Sequence, residues 1–222
     1  MKKNRLQVLM MVVLTLSLIF SASQVLALDT VIGETLIRLV GDREHVRTQE
    51  TNLGNLVNDM IREYTGADVA VYNGGGIRDA AEMGDLTLED AMDIMAFANQ
   101  AVTLEISGAD IIAALERGVS SYPEASGAFL QVSGMRYYFN PHNEPGDRIV
   151  KVYIGGEPID EEAMYTLATN DFLAAGGDDY TMFEEAEQID EHELNDQEMF
   201  IQYIQENSPL FPKVEGRIVV VH

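Results

Sequence analysis

The sequence contains no cysteine, and it has few basic side chains for its 222 residues. The lack of cysteine excludes disulfide bonds, zinc–thiolate sites and thiol nucleophiles. Fourteen Lys and Arg residues stand against 37 Asp and Glu residues, which gives a formal net charge of −23 at pH 7. A surface of this sign repels nucleic-acid backbones and anionic lipid. We therefore expect neither a nucleic-acid polymer nor, beyond an export signal, a membrane as a partner.

The rest of the composition is that of a globular protein. Apolar residues make up 46% of the chain and charged residues 23%, which is enough apolar material for a core. The sequence shows no repeat, low-complexity tract or long linker, so residues 28–222 are predicted to form a single domain. The acidic excess is interpreted as a surface that favours solubility, with adaptation to a salty exterior as the alternative.

Residues 1–27 have the pattern of an export signal. Three basic side chains lie within residues 2–5, a largely apolar run covers residues 6–20, and Val25-Leu26-Ala27 suits a signal peptidase. The apolar run is shorter than the roughly 20 residues of a membrane-spanning helix. We predict a signal peptide over residues 1–27 and an exported protein, whether secreted, periplasmic or at the cell surface; an uncleaved anchor is the alternative. Residues 28–222 keep 11 basic and all 37 acidic side chains, a net charge of −26.

Periodicity predicts both helices and strands in this domain. Apolar side chains recur at helical spacing from Leu53 to Tyr64, with Thr51 or Asn52 as the N-cap and Gly66 just past the end. The remaining predicted helices cover residues 87–95, 109–119 and the segment around 199–204, and the extended or apolar runs cover residues 67–72, 102–106, 129–139, 149–154, 165–173 and 218–221. The acidic run from Glu184 to Glu198 is interpreted as a solvated loop or helix face. The predicted fold class is α/β mixed (α+β), a mixed β-sheet covered by helices.

The segment Asn73-Gly74-Gly75-Gly76-Ile77-Arg78 directly follows a predicted buried strand. Three consecutive glycines let the backbone approach a ligand closely, and the arginine offers a planar fork of donors for oxyanions and hydroxyls. A tight turn that merely needs glycine is the alternative. The segment is not a Walker loop, because no Gly-Lys-Ser/Thr follows.

A second polar and aromatic cluster extends from Asn170 to Tyr180. Phe172 precedes Asp178 by six residues, with a glycine pair between them, and Phe97 supplies another ring elsewhere in the chain. Two rings can sandwich a nucleobase, and each stacking contact contributes about 1–3 kcal/mol. The alternative for each phenylalanine is packing in the core.

In their order along the chain, these segments resemble the 5'-nucleotidase C-terminal domain. The resemblance rests on Arg47 with residues 51–56, and on residues 73–78, 96–99 and 170–178. Residues 129–134, 145–150 and 214–218 also match the family pattern, so the resemblance covers about residues 34–221.

The resemblance implies a domain that binds the nucleoside part of a nucleotide. It assigns the stacking rings to Phe97 and Phe172, and amides near the base to Asn73 and Asn99. It further implies that Asp178 accepts hydrogen bonds from ribose hydroxyls and that arginines lie near ribose and phosphate. The implied arginines are Arg47 and Arg78, and the implied loop glycines are Gly74, Gly75, Gly76, Gly176 and Gly177.

The chain departs from the family pattern at two places. Asp179 stands where the family usually has the last glycine of Gly-Gly-Asp-Gly, which is expected to stiffen or strain that loop. Ala96-Phe97-Ala98 replaces the family's Pro-Phe-Gly, so the residues on both sides of the ring differ from the family pattern.

Full-length members of the family resemble a two-part enzyme, in which an N-terminal metallophosphoesterase domain holds two metal ions. This sequence has only His45, His142, His192 and His222, scattered singly and interpreted as surface or core residues. We therefore predict no catalytic residue, no metal site and no cofactor in this chain, and no hydrolysis by the chain alone. Three functions stay open: an exported nucleotide- or nucleoside-binding domain, a subunit of a split 5'-nucleotidase acting with a separate metallophosphoesterase chain, and an interaction protein that kept the fold and lost the ligand.

Overall fold

The structure, a computed structural model, describes residues 28–222, and the predicted signal peptide lies outside the described residues. The strands are β1 Val31–Thr35, β2 Val69–Asn73, β3 Gly84–Thr87, β4 Gln100–Ser107, β5 Leu130–Ser133, β6 Met135–Phe139, β7 Ile149–Ile154, β8 Glu157–Pro158, β9 Met164–Asn170, β10 Glu187–Asn195 and β11 Ile218–Val220. The α-helices are α1 Arg43–Val46, α2 Asn52–Thr65, α3 Leu88–Ile94, α4 Gly108–Val119, α5 Asp171–Ala174, α6 Thr181–Glu184 and α7 Asp196–Asn207, with a 3-10 turn at Gly177–Asp179.

A five-stranded mixed sheet forms the centre of the domain, in the order β10-β4-β9-β2-β5. Strands β2 and β9 are parallel neighbours, and the other pairs in this sheet are antiparallel. A four-stranded sheet, β11-β6-β7-β8, lies beside it, and β1 pairs with β3 in a two-stranded ribbon. The parallel pair matters most for function, because β2 and β9 end side by side at Asn73 and Asn170, where the two motifs of the sequence begin.

Helices cover both faces of the central sheet. Side chains alternate along β2, so Ala70 and Tyr72 pack with α2 and α7 on one face, while Val69 and Val71 pack with α4 on the other. This alternation explains why every residue of β2 is buried. The mixed sheet covered by helices confirms the predicted fold class.

Helix α2 confirms its sequence signals. The Thr51 side chain accepts a hydrogen bond from the Gly54 backbone N–H at 2.9 Å, which caps the first turn. Gly66 ends the helix in the left-handed conformation, with φ at +70°. Thr87 likewise caps α3 through a capping box with Asp90.

The prediction for the acidic run from Glu184 to Glu198 was wrong for most of its length. Residues 187–195 form β10, an edge strand that pairs antiparallel with β4, and Asp196 begins α7. Backbone hydrogen bonds to β4 stabilise the strand, while its acidic side chains stay largely exposed. Charged side chains are usual on edge strands, where they discourage pairing with another chain.

Other strands begin or end at residues that differ from the predicted ones, and each difference has a local cause. The predicted extended run over residues 129–139 is two strands in different sheets, because the chain turns at Gly134 with φ at +74°. The apolar run over residues 165–173 leaves the sheet at Asn170, whose side chain caps α5. The ribbon strands β1 and β3 had no prediction. None of the helices within residues 28–222 is long and apolar enough to cross a membrane.

Candidate functional site

The structure brings all seven side chains predicted to bind substrate to one cavity of about 310 Å³. They come from segments that are up to 131 positions apart in the chain, between Arg47 and Asp178. The full lining is Arg47, Asn73, Gly75, Gly76, Arg78, Phe97, Asn99, Gly127, Phe172 and Asp178. Gly127 was not predicted, since a lone glycine after a serine carries no particular signal.

The glycine loop after β2 forms one wall of the cavity, and its backbone is pinned on both sides. Gly74 N–H donates to the Phe129 carbonyl at 2.7 Å, and Gly75 N–H donates to the Gly127 carbonyl at 2.8 Å. A Cβ at position 74 would collide with the Val46 carbonyl oxygen. Glycine is therefore required here by close backbone approach, which places the loop where a ligand can reach it.

An amide–carboxylate chain crosses the ends of β2 and β9. Asn73 Nδ2 donates to Asp178 Oδ2 at 2.9 Å, and Asn170 Nδ2 donates to Asn73 Oδ1 at 3.2 Å. Asn170 Oδ1 in turn accepts the Leu173 backbone N–H at 2.9 Å. Because Asn73 and Asn170 are buried, these hydrogen bonds fix the Asp178 carboxylate at the cavity edge. They leave the Oδ1 atom of Asp178 for a ligand.

The two predicted stacking rings are exposed at the cavity. Phe97 is 57% and Phe172 is 45% exposed, whereas Phe129, Phe139, Phe183 and Phe200 are all at most 1% exposed. Gly177 supports one of them, because a Cβ at that position would overlap the Phe172 ring. Core packing therefore does not account for either ring, and a flat aromatic ligand would cover apolar surface that water now touches.

Two arginines give this cavity a local positive charge in an acidic protein. Arg47 is only 9% exposed, and its buried Nε has no hydrogen-bond partner among the described residues. Burial, with Arg43 and Arg78 nearby, lowers the pKa of Arg47 from its ordinary value, while Asp178 opposes the shift. Arg78 lies 5.4 Å from the centre of the Phe97 ring in a cation–π arrangement. An anionic group at the cavity would relieve the repulsion between the two guanidinium groups.

Both departures from the family pattern have left-handed backbone. Ala98 has φ at +49° and Asp179 has φ at +63°, conformations in which glycine carries no Cβ penalty. Asp178 itself has φ at +54°, so two successive aspartates of this loop have left-handed backbone. The strain expected at Asp179 is present, and the structure shows the same feature at Ala98.

Substituting Ala98→Gly is expected to raise the free energy of unfolding by about 0.5–1 kcal/mol. Removing the left-handed Cβ recovers about 1–2 kcal/mol, and the greater freedom of glycine in the unfolded chain offsets about 0.4–1 kcal/mol of that. Urea denaturation measures the change. The control is Ala96→Gly, because Ala96 does not have a positive φ and should lose stability instead. Equal losses from both variants would contradict the assignment of strain to Ala98.

A buried polar pair behind the cavity, Tyr72 and Asp196, was not predicted from the sequence. Tyr72 Oη donates to Asp196 Oδ2 at 2.5 Å, and both residues are at most 1% exposed. Burial raises the pKa of Asp196 to about 6, and burial together with Asp196 raises the pKa of Tyr72 well above its ordinary value. Periodicity identifies Tyr72 only as a strand residue and Asp196 only as one acid in an acidic run, so a contact between them could not be inferred.

The histidines lie away from the cavity. His45 is near Asp42, His192 Nε2 is 2.9 Å from Thr103 Oγ1, and the rings of His142 and His222 are 5.6 Å apart. The last pair is therefore not isolated in space as the sequence spacing suggested. Within residues 28–222, no group of three or more His, Asp or Glu side chains is arranged to hold a metal ion.

Comparison with known proteins identifies the same domain. The model of the family described as 5'-nucleotidase, C-terminal domain, matches residues 31–185. The trifunctional nucleotide phosphoesterase protein YfkN of Bacillus subtilis is 41% identical over 197 residues, which is 84% of this chain and 14% of that protein. The protein UshA of Escherichia coli is 35% identical over 183 residues, 82% of this chain and 32% of that protein.

A solved structure extends this likeness to three dimensions. The 5'-nucleotidase precursor from Thermus thermophilus superposes with a TM-score of 0.87 at 38% identity, over 93% of this chain and 43% of that chain. This chain thus spans less than half the length of each of these relatives. The family match over residues 31–185 confirms the resemblance seen in the sequence, and the chain belongs to the 5'-nucleotidase C-terminal domain family.

Proposed function

We propose that this protein binds a nucleoside or nucleotide in the cavity between Phe97 and Phe172. The observation that carries the proposal is the pair of roughly half-exposed rings at a cavity that also holds an anchored carboxylate and two arginines. A nucleotide has three parts, and these three kinds of side chain suit them: aromatic rings for the base, a carboxylate for ribose hydroxyls and guanidinium groups for phosphate.

Affinity follows from the same arrangement. Stacking on each ring contributes about 1–3 kcal/mol, and charge-assisted hydrogen bonds to Asp178 contribute about 1.5–3 kcal/mol. Ordering costs offset part of this, so we expect dissociation constants between about micromolar and millimolar. The local charge of Arg47 and Arg78 favours the nucleotide over the nucleoside, and added salt should weaken that preference.

Isothermal titration calorimetry of the purified protein with adenosine and with adenosine 5'-monophosphate tests the proposal. Binding of both ligands, with the monophosphate tighter at low salt, is the expected result. If neither ligand binds at millimolar concentration, the proposal fails and the third alternative, an interaction protein that lost its ligand, is favoured.

We further propose that this domain supplies substrate recognition for nucleotide hydrolysis, while a metallophosphoesterase domain supplies the metals. Support comes from the relatives, whose chains are more than twice as long as the part matched here. In a split enzyme, the second domain would be a separate exported chain. The basic start and apolar run of residues 1–27 support export of this one.

Mixing this protein with a separately purified metallophosphoesterase domain from a relative tests this role. Phosphate release from a mononucleotide should rise with the concentration of this protein and depend on added divalent metal, because association without a linker lacks a high effective concentration. This protein alone should release no phosphate. Metal-dependent hydrolysis by this protein alone would overturn the assignment of the metals to another domain, and a rate independent of the mixing ratio would overturn complementation.

A further inference from the structure

A buried chain of polar groups runs from α7 through the central sheet to the cavity. Tyr72 Oη lies 2.5 Å from Asp196 Oδ2 on one side and 3.4 Å from Asn99 Nδ2 on the other. Asn99 is also tied by its backbone, since its carbonyl accepts the Asp196 N–H at 2.9 Å. These hydrogen bonds therefore connect the buried carboxylate of Asp196 with the amide of Asn99, which lines the cavity.

The chemistry of the three groups sets the direction of the hydrogen bonds. An ionised carboxylate can only accept, so the single proton of the Tyr72 hydroxyl is directed to Asp196. The Tyr72 oxygen can then only accept hydrogen bonds, and the amides beside it are those of Asn99 and Asn170. Asn99 must therefore turn its NH2 group inward. A carboxamide holds its oxygen and nitrogen on opposite sides of the same carbon, so Asn99 Oδ1 is directed away from Tyr72. No side-chain hydrogen bond between residues 28 and 222 uses this oxygen.

Stability alone does not explain Asp196. Asp196 is 1% exposed, and Tyr72 is the only side chain among the described residues that donates to its carboxylate, beside the backbone N–H groups of Asn99 and Gln197. Its Oδ1 has no partner within hydrogen-bond distance among the described residues. A neutral side chain of the same size would avoid the desolvation of a charge, so the carboxylate is a costly choice for packing. Buried ionisable groups with perturbed pKa values concentrate at functional sites.

The glycine loop holds the middle of the chain in place. A Cβ at Gly76 would overlap the ring of Tyr72, so the loop backbone packs directly on this ring. The Tyr72 hydroxyl therefore has little freedom to leave Asp196. Because the hydroxyl is fixed, the hydrogen bond that it accepts fixes the orientation of the Asn99 amide.

We propose that Tyr72 and Asp196 are positioning residues that hold the Asn99 amide with its oxygen toward the ligand, so that the cavity prefers a nucleobase with an amino group. This inference rests on the proposed nucleoside binding. An amino group such as that of adenine donates to the Asn99 oxygen, whereas the carbonyl of hypoxanthine at the same position meets it oxygen to oxygen. We expect adenosine to bind about 5- to 50-fold more tightly than inosine.

The test compares the affinities of three nucleosides by calorimetry at pH 8, where Asp196, with a pKa raised by burial to about 6, is ionised. The nucleosides are adenosine, inosine and purine riboside, which has hydrogen in place of the amino group. In Tyr72→Phe the released Asn99 amide can turn to suit either base, so the adenosine-to-inosine ratio should fall toward one. The affinity for purine riboside should change less than about twofold, because that ligand reports stacking and ribose contacts alone.

Two further variants separate positioning from general destabilisation. Asp196→Asn keeps the side-chain size but can donate to Tyr72 as well as accept from it, so the ratio should fall here too. Tyr180→Phe is the matched control: Tyr180 is also buried, and its hydroxyl donates to the Ala128 carbonyl outside this chain of groups. Its adenosine-to-inosine ratio should stay at the unsubstituted value.

The outcomes distinguish the two levels of the proposal. If none of the three nucleosides binds, the proposed function fails and the inference fails with it. If all three bind but the unsubstituted protein shows no preference for adenosine, only the inference is overturned. It is also overturned if Tyr72→Phe and Asp196→Asn keep the original ratio, or if Tyr180→Phe lowers it equally.

Discussion

Replacing both Phe97 and Phe172 with alanine is expected to weaken adenosine binding by about 100-fold or more. Each ring is expected to contribute about 1–3 kcal/mol by stacking, and each 1.4 kcal/mol corresponds to a tenfold change in the dissociation constant. The single substitutions should each lose more than half of the combined effect, because a base held on one side only is also held less rigidly. Calorimetric titration of the unsubstituted protein, the two single variants and the double variant measures all of these changes.

The chain offers a matched control for this experiment. Phe211 is 52% exposed, much like Phe97 and Phe172, but it packs against Lys213 instead of lining the cavity. Phe211→Ala should leave the affinity for adenosine unchanged. An equal loss in this variant, or unchanged binding in the double variant, would show that the cavity rings do not hold the base.

The stability of the protein is expected to depend on the ionisation of Asp196. Burial raises the pKa of this carboxyl from 3.8 to about 6, even though the hydrogen bond from Tyr72 lowers it. A raised pKa in the folded state favours the protonated form, so the stabilising contribution is complete below about pH 4 and is lost as the pH rises through about 6. The shift corresponds to about 3 kcal/mol between these limits.

Comparison with Asp196→Asn isolates this contribution, since the two proteins share every other titrating group. The free energy of unfolding of the unsubstituted protein, relative to the variant, should fall by about 3 kcal/mol between pH 3 and pH 7.5. Urea denaturation at several pH values gives both curves. A difference that stays constant, or that grows as the pH rises, would contradict a carboxyl group held at raised pKa behind the cavity.

Local sequence signals predicted those elements that are stabilised locally. Helix α2 has its N-cap at Thr51, its apolar face within the helix and its left-handed end at Gly66, all within one short segment. The sequence of strand β10 contains no comparable local signal. Its acidic residues follow no strand alternation, and it exists because the edge of β4 offers hydrogen-bond partners that are more than 80 positions away in the chain.

The candidate site also has one part that the sequence predicted and one part that it did not. The glycine loop, the two exposed rings and Asp178 carry distinctive residue types, so a resemblance at the level of motifs was enough to assemble all seven side chains of the cavity. The contact between Tyr72 and Asp196 joins residues 124 positions apart, and neither residue stands in a recognisable motif. The buried contacts behind the cavity are therefore visible only in three dimensions.

A crystal structure of the protein with adenosine tests the central claim most directly. The account predicts the adenine ring between the side chains of Phe97 and Phe172, with a ribose hydroxyl within hydrogen-bond distance of Asp178. It also predicts the amino group of the base beside Asn99 Oδ1. Adenosine bound elsewhere on the protein while this cavity stays empty would contradict the account.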